Sequence, residues 1–284
     1  MDRRLFLKSA GLVAGALGAG VGFTACSRGP IPGGEQTLAV QSATFEVLTG
    51  QDRPVAFGVR TLDNEDVAAR DFEVYLRSME GDVVGGPFAA EYEEAAGTGI
   101  GIYLTSFDLE REGPVELVAV DGRDWGAAAL NVKAPEHSAA PVPGQQAIAT
   151  PTPTLDNANG YTRICTQDPP CGMHEVSLDE ALTTGGQPVA VLFATPAYCQ
   201  TAVCGPAVAT LDGIRGSRGW SGMRFIHCEI YTDEGQTLGD PVQVWDLPTE
   251  PWLFTIAGDG TILDRLDGPM VPSAVTAMLE RAVA

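Results

Sequence analysis

At 284 residues the chain has room for two ordinary domains, and its 44% apolar content excludes a disordered polypeptide. Its 34 Gly and 20 Pro follow no strict period, which excludes a collagen-like rod. Seventeen Lys and Arg stand against 37 Asp and Glu, and a net charge of −20 repels phosphate backbones, so no nucleic-acid partner is expected. In chain order, residues 1–26 read MDRRLFLKSAGLVAGALGAGVGFTAC, basic at Arg3, Arg4 and Lys8 and then uncharged from Ala10 to Ala25. A run so short and so rich in Gly does not make a permanent membrane span; it predicts the apolar region of a signal peptide over 1–25.

The paired arginines followed by Phe6, Leu7 and Lys8 resemble the twin-arginine export motif, and Phe23-Thr24-Ala25-Cys26 resembles a bacterial lipobox. The resemblance implies cleavage before Cys26, lipidation of its thiol, and a lipid-anchored protein on the extracytoplasmic face of the cell membrane. An ordinary signal peptide with Cys26 incidental is the alternative. In either case the mature chain sits where disulfides persist.

Residues 26–35 predict a short Gly/Pro tether. From 36 to 133 the chain reads as strands: 39–48, 54–60, 72–76, 100–104, 115–120 and 127–132, parted by Asp/Asn/Gly clusters at 63–66, 80–86 and 121–126. Short runs at that spacing predict an antiparallel β-sandwich. Its ending, EREGPVELVAVDGRDWGAAALNV, resembles the last strands of immunoglobulin-like modules in exported bacterial proteins. This half holds no Cys and no His, so it is read as a spacer or interaction module. Residues 134–160, rich in Pro, Ala and Thr, predict an extended linker.

From 161 to 284 the rhythm changes. Ser177 to Leu182 predicts a helix with Ser177 as its cap and Glu180 completing a capping box. The unbroken apolar run Pro188 to Ala194 predicts a strand buried on both faces. A helix over about 202–215, a strand over 223–231, a hairpin of 252–256 with 261–265 around Gly258-Asp-Gly260, and a closing helix over 272–284 follow. Alternation along 224–231 puts Phe225, His227, Glu229 and Tyr231 on one face and Cys228 on the other, as a small buried hydrophobe. His227 is read as a satisfied core or rim histidine.

The chemistry is carried by Tyr198-Cys199-Gln-Thr-Ala-Val-Cys204-Gly-Pro206, directly after a buried strand and opening a helix. A thiol at a helix N-terminus is favoured as thiolate. This stretch, together with Leu247-Pro-Thr-Glu250-Pro251-Trp-Leu-Phe, resembles the thioredoxin-like superfamily. The resemblance implies an α/β thioredoxin-like fold after the Ig-like sandwich and a cis-proline at Pro251. It also implies a thiol–disulfide oxidoreductase in which Cys199 attacks and Cys204 resolves, with Tyr198, Glu250 and Pro251 along the substrate groove. The partners implied are exported protein thiols or a membrane redox partner, with no cofactor.

The spacing departs from that family, which uses Cys-x2-Cys. In a regular helix, positions five apart lie roughly 8.7 Å apart, beyond the reach of about 7 Å that a disulfide allows. Either Cys199 precedes the helix or its first turn unwinds. The family's buried acid is replaced by Phe193, which makes Glu229 the candidate proton acceptor. Cys165 and Cys171 enclose Thr-Gln-Asp-Pro-Pro and predict a structural disulfide; Met173 and His174 beside them make a soft, metal-like set as the lesser alternative. No metal is expected. The rivals to exchange are a redox-silent thioredoxin-like binding module, then a peroxiredoxin-like peroxidase, then a Sco-like metallochaperone. The peroxidase pattern is broken by Leu192 and Pro196 and would need Arg215 or Arg224 near the sulfurs.

Overall fold

The structure is a computed structural model that describes residues 30–94, 101–199, 203–218 and 220–284. The expected signal peptide and Cys26 lie outside them. Among the described residues, no helix is long and apolar enough to cross a membrane.

The first half forms two facing sheets. One is ordered β1 (Leu38–Ser42), β3 (Gly50–Thr61), β7 (Gly101–Leu109) and β6 (Glu91–Glu94); the other is β2 (Val47–Leu48), β9 (Asp124–Lys133), β8 (Gly113–Asp121), β4 (Glu73–Arg77) and β5 (Val83–Ala89). Alternate residues point inward, so Val55, Phe57 and Tyr103 from one sheet meet Val74, Leu117 and Leu130 from the other. The expected strand over 39–48 is two strands in different sheets. Residues 80–94, read partly as a turn, hold β5 and β6. Both are edge strands, where Pro87 costs no ladder hydrogen bond and apolar Val83 and Val84 stay exposed.

The second half is a three-layer α/β unit. Its sheet runs β11 (Arg224–Cys228), β10 (Val189–Phe193), β12 (Trp252–Ile256), β13 (Ile262–Asp267), with β10 and β11 parallel and the other pairs antiparallel. Helices α2 (Cys204–Arg218) and α4 (Pro272–Val283) cover one face through Ala207, Val208, Leu211, Val275 and Met278. Helices α1 (Leu178–Thr184) and α3 (Asp240–Val244) cover the other through Leu178, Ala181, Val242 and Trp245. Cover on both faces is why every residue of β10 and β12 is buried and why β10 is an unbroken apolar run, with Thr255 the one polar residue of β12. Truncating Phe254 to Ala there costs about 3–5 kcal/mol. Helix α3 was absent from the sequence reading, since five residues carry too little periodicity to register.

The expected linker is not a free tether. Ala140, Val142, Thr150 and Thr152 are buried, and the Trp245 indole donates to the Ile148 carbonyl at 3.1 Å. Thr152 N–H donates to Ser177 Oγ at 2.8 Å, while Leu178 N–H donates to Thr152 Oγ1 at 3.0 Å. So the expected capping box does not form, and residues 150–152 cap α1 in its place.

The two halves meet across a polar seam. The buried Glu46 carboxylate accepts from Lys133 Nζ at 2.7 Å, Arg265 Nη2 at 2.8 Å, Ser138 Oγ at 2.5 Å and Ala139 N–H at 3.2 Å. Burial alone would raise its pKa, but these donors outweigh burial and hold it at about 2. Asp267, at the end of β13, accepts from Phe45 N–H at 2.5 Å and Glu46 N–H at 3.3 Å. Gly268 follows with φ +73°, and a side chain there would run into the Ala43 carbonyl.

Candidate functional site

Strand β10 ends at Phe193 and delivers the chain to Thr195–Cys199 at the C-terminal edge of the sheet. Cys199 and Cys204 are disulfide-bonded with Cα atoms 6.1 Å apart. The helix begins at Cys204, so Cys199 precedes it and the geometric conflict of the x4 spacing does not arise. Residues 200–202, where the expected first turn falls, lie outside the described residues. Cys204 is fully buried at the helix N-terminus, whereas Cys199 is only partly buried against the same core. Cys199 keeps partial exposure and Cys204 keeps none.

A carboxylate oxygen of Glu250 lies within 4.8 Å of both sulfurs. Glu250 precedes a cis bond to Pro251 and accepts from Thr195 N–H at 2.7 Å. Burial, helped by the Glu229 charge and opposed by the Thr195 bond, pushes its pKa up to about 7. Glu229, read as the proton acceptor, is instead enclosed: its oxygens accept from Thr166 N–H at 2.6 Å, Thr166 Oγ1 at 3.1 Å and Thr195 Oγ1. The carboxylate beside the sulfurs is Glu250. The sequence places Glu250 along the groove but carries no sign of its burial, which depends on tertiary packing.

A cleft of about 780 Å³ opens beside the pair, between the halves, lined by Val203, Thr249 and Glu250 on one side and by Phe45, Arg60 and Tyr92 on the other. Of the expected groove residues, Glu250 lines it. Tyr198 packs edge-on against Tyr231 with ring centroids 6.4 Å apart, and Pro251 is buried, its carbonyl accepting Gly268 N–H at 3.2 Å. Arg215 is held by Asp212 at 2.8 Å and Arg224 donates to Gln187 at 3.0 Å, so both guanidinium groups are engaged elsewhere.

The second cysteine pair departs from expectation. Cys165 and Cys171 are free, with sulfurs 3.7 Å apart, so the predicted structural disulfide is not formed. His174 and His227 stand against them: Cys171 Sγ lies 3.4 Å from His174 Nε2 and 3.3 Å from His227 Nδ1, and Cys165 Sγ lies 3.8 Å from His227 Nδ1. The four ligand atoms all lie within 4.8 Å of one another. A hydrogen bond from the Cys171 thiol, with further help from both histidines, lowers the Cys165 pKa, and the same sharing raises that of Cys171. Met173 takes no part; it is buried in the core below α2. Cys228 faces the opposite side of β11, where burial pushes its thiol up to about 12. His227 was visible as a same-face neighbour of Glu229, but its distance of more than fifty residues from Cys171 hid the cluster.

No family model and no curated protein matches the chain. Among solved structures, a protein described as a thiol:disulfide interchange protein DsbE from Chlorobium tepidum aligns over 50% of this chain and 99% of its own, at 12% identity and a TM-score of 0.37. The Lin-41 filamin domain aligns over 34% of this chain and 93% of its own, at 8% identity and TM-score 0.24. Titin M4 aligns over 35% and 96%, at 13% identity and TM-score 0.21.

Proposed function

We propose that the chain is an extracytoplasmic thiol–disulfide oxidoreductase, with an Ig-like sandwich followed by a thioredoxin-like domain that works through Cys199 and Cys204. The observation that carries this reading is the asymmetry of the pair: a partly exposed Cys199 bonded to a fully buried Cys204 at the start of a helix, with a carboxyl of pKa about 7 beside both. In the reduced form the Cys199 thiolate attacks a substrate disulfide, forming a mixed disulfide and releasing one substrate sulfur as thiolate. Cys204 gives its proton to Glu250 and attacks Cys199 Sγ, which expels the second substrate sulfur and leaves both substrate thiols reduced. Run backward, the same steps oxidise a dithiol, with the Cys199–Cys204 bond reduced in its place. A helix N-terminus stabilises Cys204 as leaving group in that direction. The cleft between the halves supports a groove for an extended protein segment carrying the substrate sulfur. The N-terminal residues Arg3, Arg4 and Cys26 support export and a lipid anchor; Cys26→Ala should move the protein from membrane to soluble fractions, and unchanged retention overturns the anchor.

The deciding measurement is the reduction potential of the 199/204 pair. A value above about −200 mV fits an oxidant or isomerase, and one below about −300 mV makes the bond a structural staple in a redox-silent module.

A further inference from the structure

We infer that Cys165, Cys171, His174 and His227 form a closed tetrahedral Zn2+ site beneath the Thr195–Cys199 loop. Zinc bonded at about 2.3 Å to sulfur and about 2.0–2.1 Å to imidazole nitrogen centres a tetrahedron with an S···S edge of about 3.8 Å and S···N edges of about 3.5 Å. The S···S edge is 3.7 Å and three of the four S···N edges are 3.3, 3.4 and 3.8 Å. The remaining S···N edge and the N···N edge lie within 4.8 Å. Four edges thus lie close to what the ion requires, with a donor set of two sulfurs and two imidazoles that zinc prefers.

Two of the ligands, His227 and Cys165, are oriented from outside, while His174 Nδ1 has no hydrogen-bond partner among the described residues. His227 Nε2–H donates to the Ala194 carbonyl at 2.9 Å, which leaves Nδ1 as the lone pair facing both sulfurs. Cys171 N–H donates to Cys165 Sγ at 3.4 Å, a bond that favours thiolate there. Such outer hydrogen bonds are how metal sites fix tautomer and charge. Binding replaces the two thiol protons, which leave to solvent, so two thiolates and Zn2+ sum to a neutral buried unit. A Cys165–Cys171 disulfide would instead strand His174 Nε2 and His227 Nδ1, in residues 2% and 0% exposed, against sulfur atoms with no proton to offer. The site pins residues 165–174 to β11. Thr166, next to Cys165, holds Glu229 and accepts from Ala197 N–H at 3.0 Å, so the metal anchors the strap on which the redox loop rests.

The test uses the full chain, reduced and stripped of metal under argon, then titrated with Co2+ and afterwards Zn2+. One Co2+ per chain should bind with tetrahedral d–d bands and thiolate-to-cobalt charge transfer, and Zn2+ should erase both. Cys171→Ser and His174→Gln should each weaken zinc by more than about 100-fold, beyond the loss of a supporting hydrogen bond. The double variant Cys199→Ser/Cys204→Ser should keep the cobalt spectrum, which assigns the ions to the right sulfurs. Zinc should also shield Cys165 and Cys171 from alkylation in the unmutated chain, a readout that needs no variant to fold. Octahedral cobalt without charge transfer, a spectrum that survives Cys171→Ser, or thiols that zinc leaves unshielded would each overturn the site.

Discussion

Two cysteine pairs of nearly equal spacing lie in one domain and meet different fates. Cys199 and Cys204 are bonded, one of them partly exposed, next to Val203 and Glu250, which line a cleft. Cys165 and Cys171 stay 3.7 Å apart, each facing imidazole. Spacing does not separate them; neighbours do. A helix N-terminus and a partly buried carboxyl adjoin the first pair, as the proposed exchange requires, while two histidines adjoin the second, as the inferred cation site requires. The same lesson holds for carboxylates. Burial acts on both Glu46 and Glu250, yet four donors hold Glu46 at about 2, while the Thr195 N–H bond to Glu250 is outweighed and lets it rise to about 7.

The sharpest way to break the contrast is Cys199→Ser, which should abolish insulin reduction or dithiol oxidation by more than about 1,000-fold, while Cys204→Ser should trap a mixed disulfide visible on a non-reducing gel. Residual exchange through another cysteine would erase the distinction between the pairs. Next in size is the acid response of the seam. Glu46 is depressed from 4.5 to about 2, so its stabilisation is complete above 4.5 and is lost as pH falls through 2. That is on the order of 3 kcal/mol by linkage, and Glu46→Gln should remove the corresponding acid limb from denaturation curves.

Glu250 should behave in the opposite sense. Raised from 4.5 to about 7, it favours the folded state when protonated, and stability should decline as pH rises through that window. Resolution by Cys204 should quicken through pH 7 as the carboxylate forms, and Glu250→Gln should flatten that profile and slow the step about 100-fold in stopped-flow traces. An unchanged profile would remove Glu250 from the proton transfer. The smallest effect concerns reactivity in the reduced chain. At mildly acidic pH Cys199 should alkylate at least about tenfold faster than Cys228, whose thiol is buried and raised, as peptide mapping would report.

Much of the scaffold was legible. The apolar run 188–194 announced β10 because burial on both faces removes any need for alternation, and the motif after it holds the two cysteines that the structure bonds. Alternation along 224–231 placed His227 and Glu229 on one face correctly, with Cys228 opposite. What stayed hidden depended on contacts between distant segments. Residues 134–160 lack periodicity of their own, yet the Ile148 carbonyl, the Thr152 N–H and the Thr152 hydroxyl are bonded to Trp245, Ser177 and Leu178, partners that composition cannot reveal. The imidazoles that keep Cys165 and Cys171 apart come from two different stretches, so a loop read by itself looked like a disulfide. Glu250 owes its raised pKa to burial and to the Glu229 charge, neither of which its local sequence records.

The packed course of residues 134–160 bears on how strongly the sandwich can influence binding. Two modules on a flexible string meet at an effective concentration set by the string, and each encounter forfeits the freedom of the chain between them. Here that freedom is surrendered during folding, through the Ile148, Thr152 and Glu46 contacts. Any segment that enters the cleft therefore finds Phe45, Arg60 and Tyr92 already in place as a standing wall opposite Glu250. Contacts made to that wall add to affinity without a second docking event, so what the sandwich contributes should appear as slower dissociation rather than as a dependence on linker length.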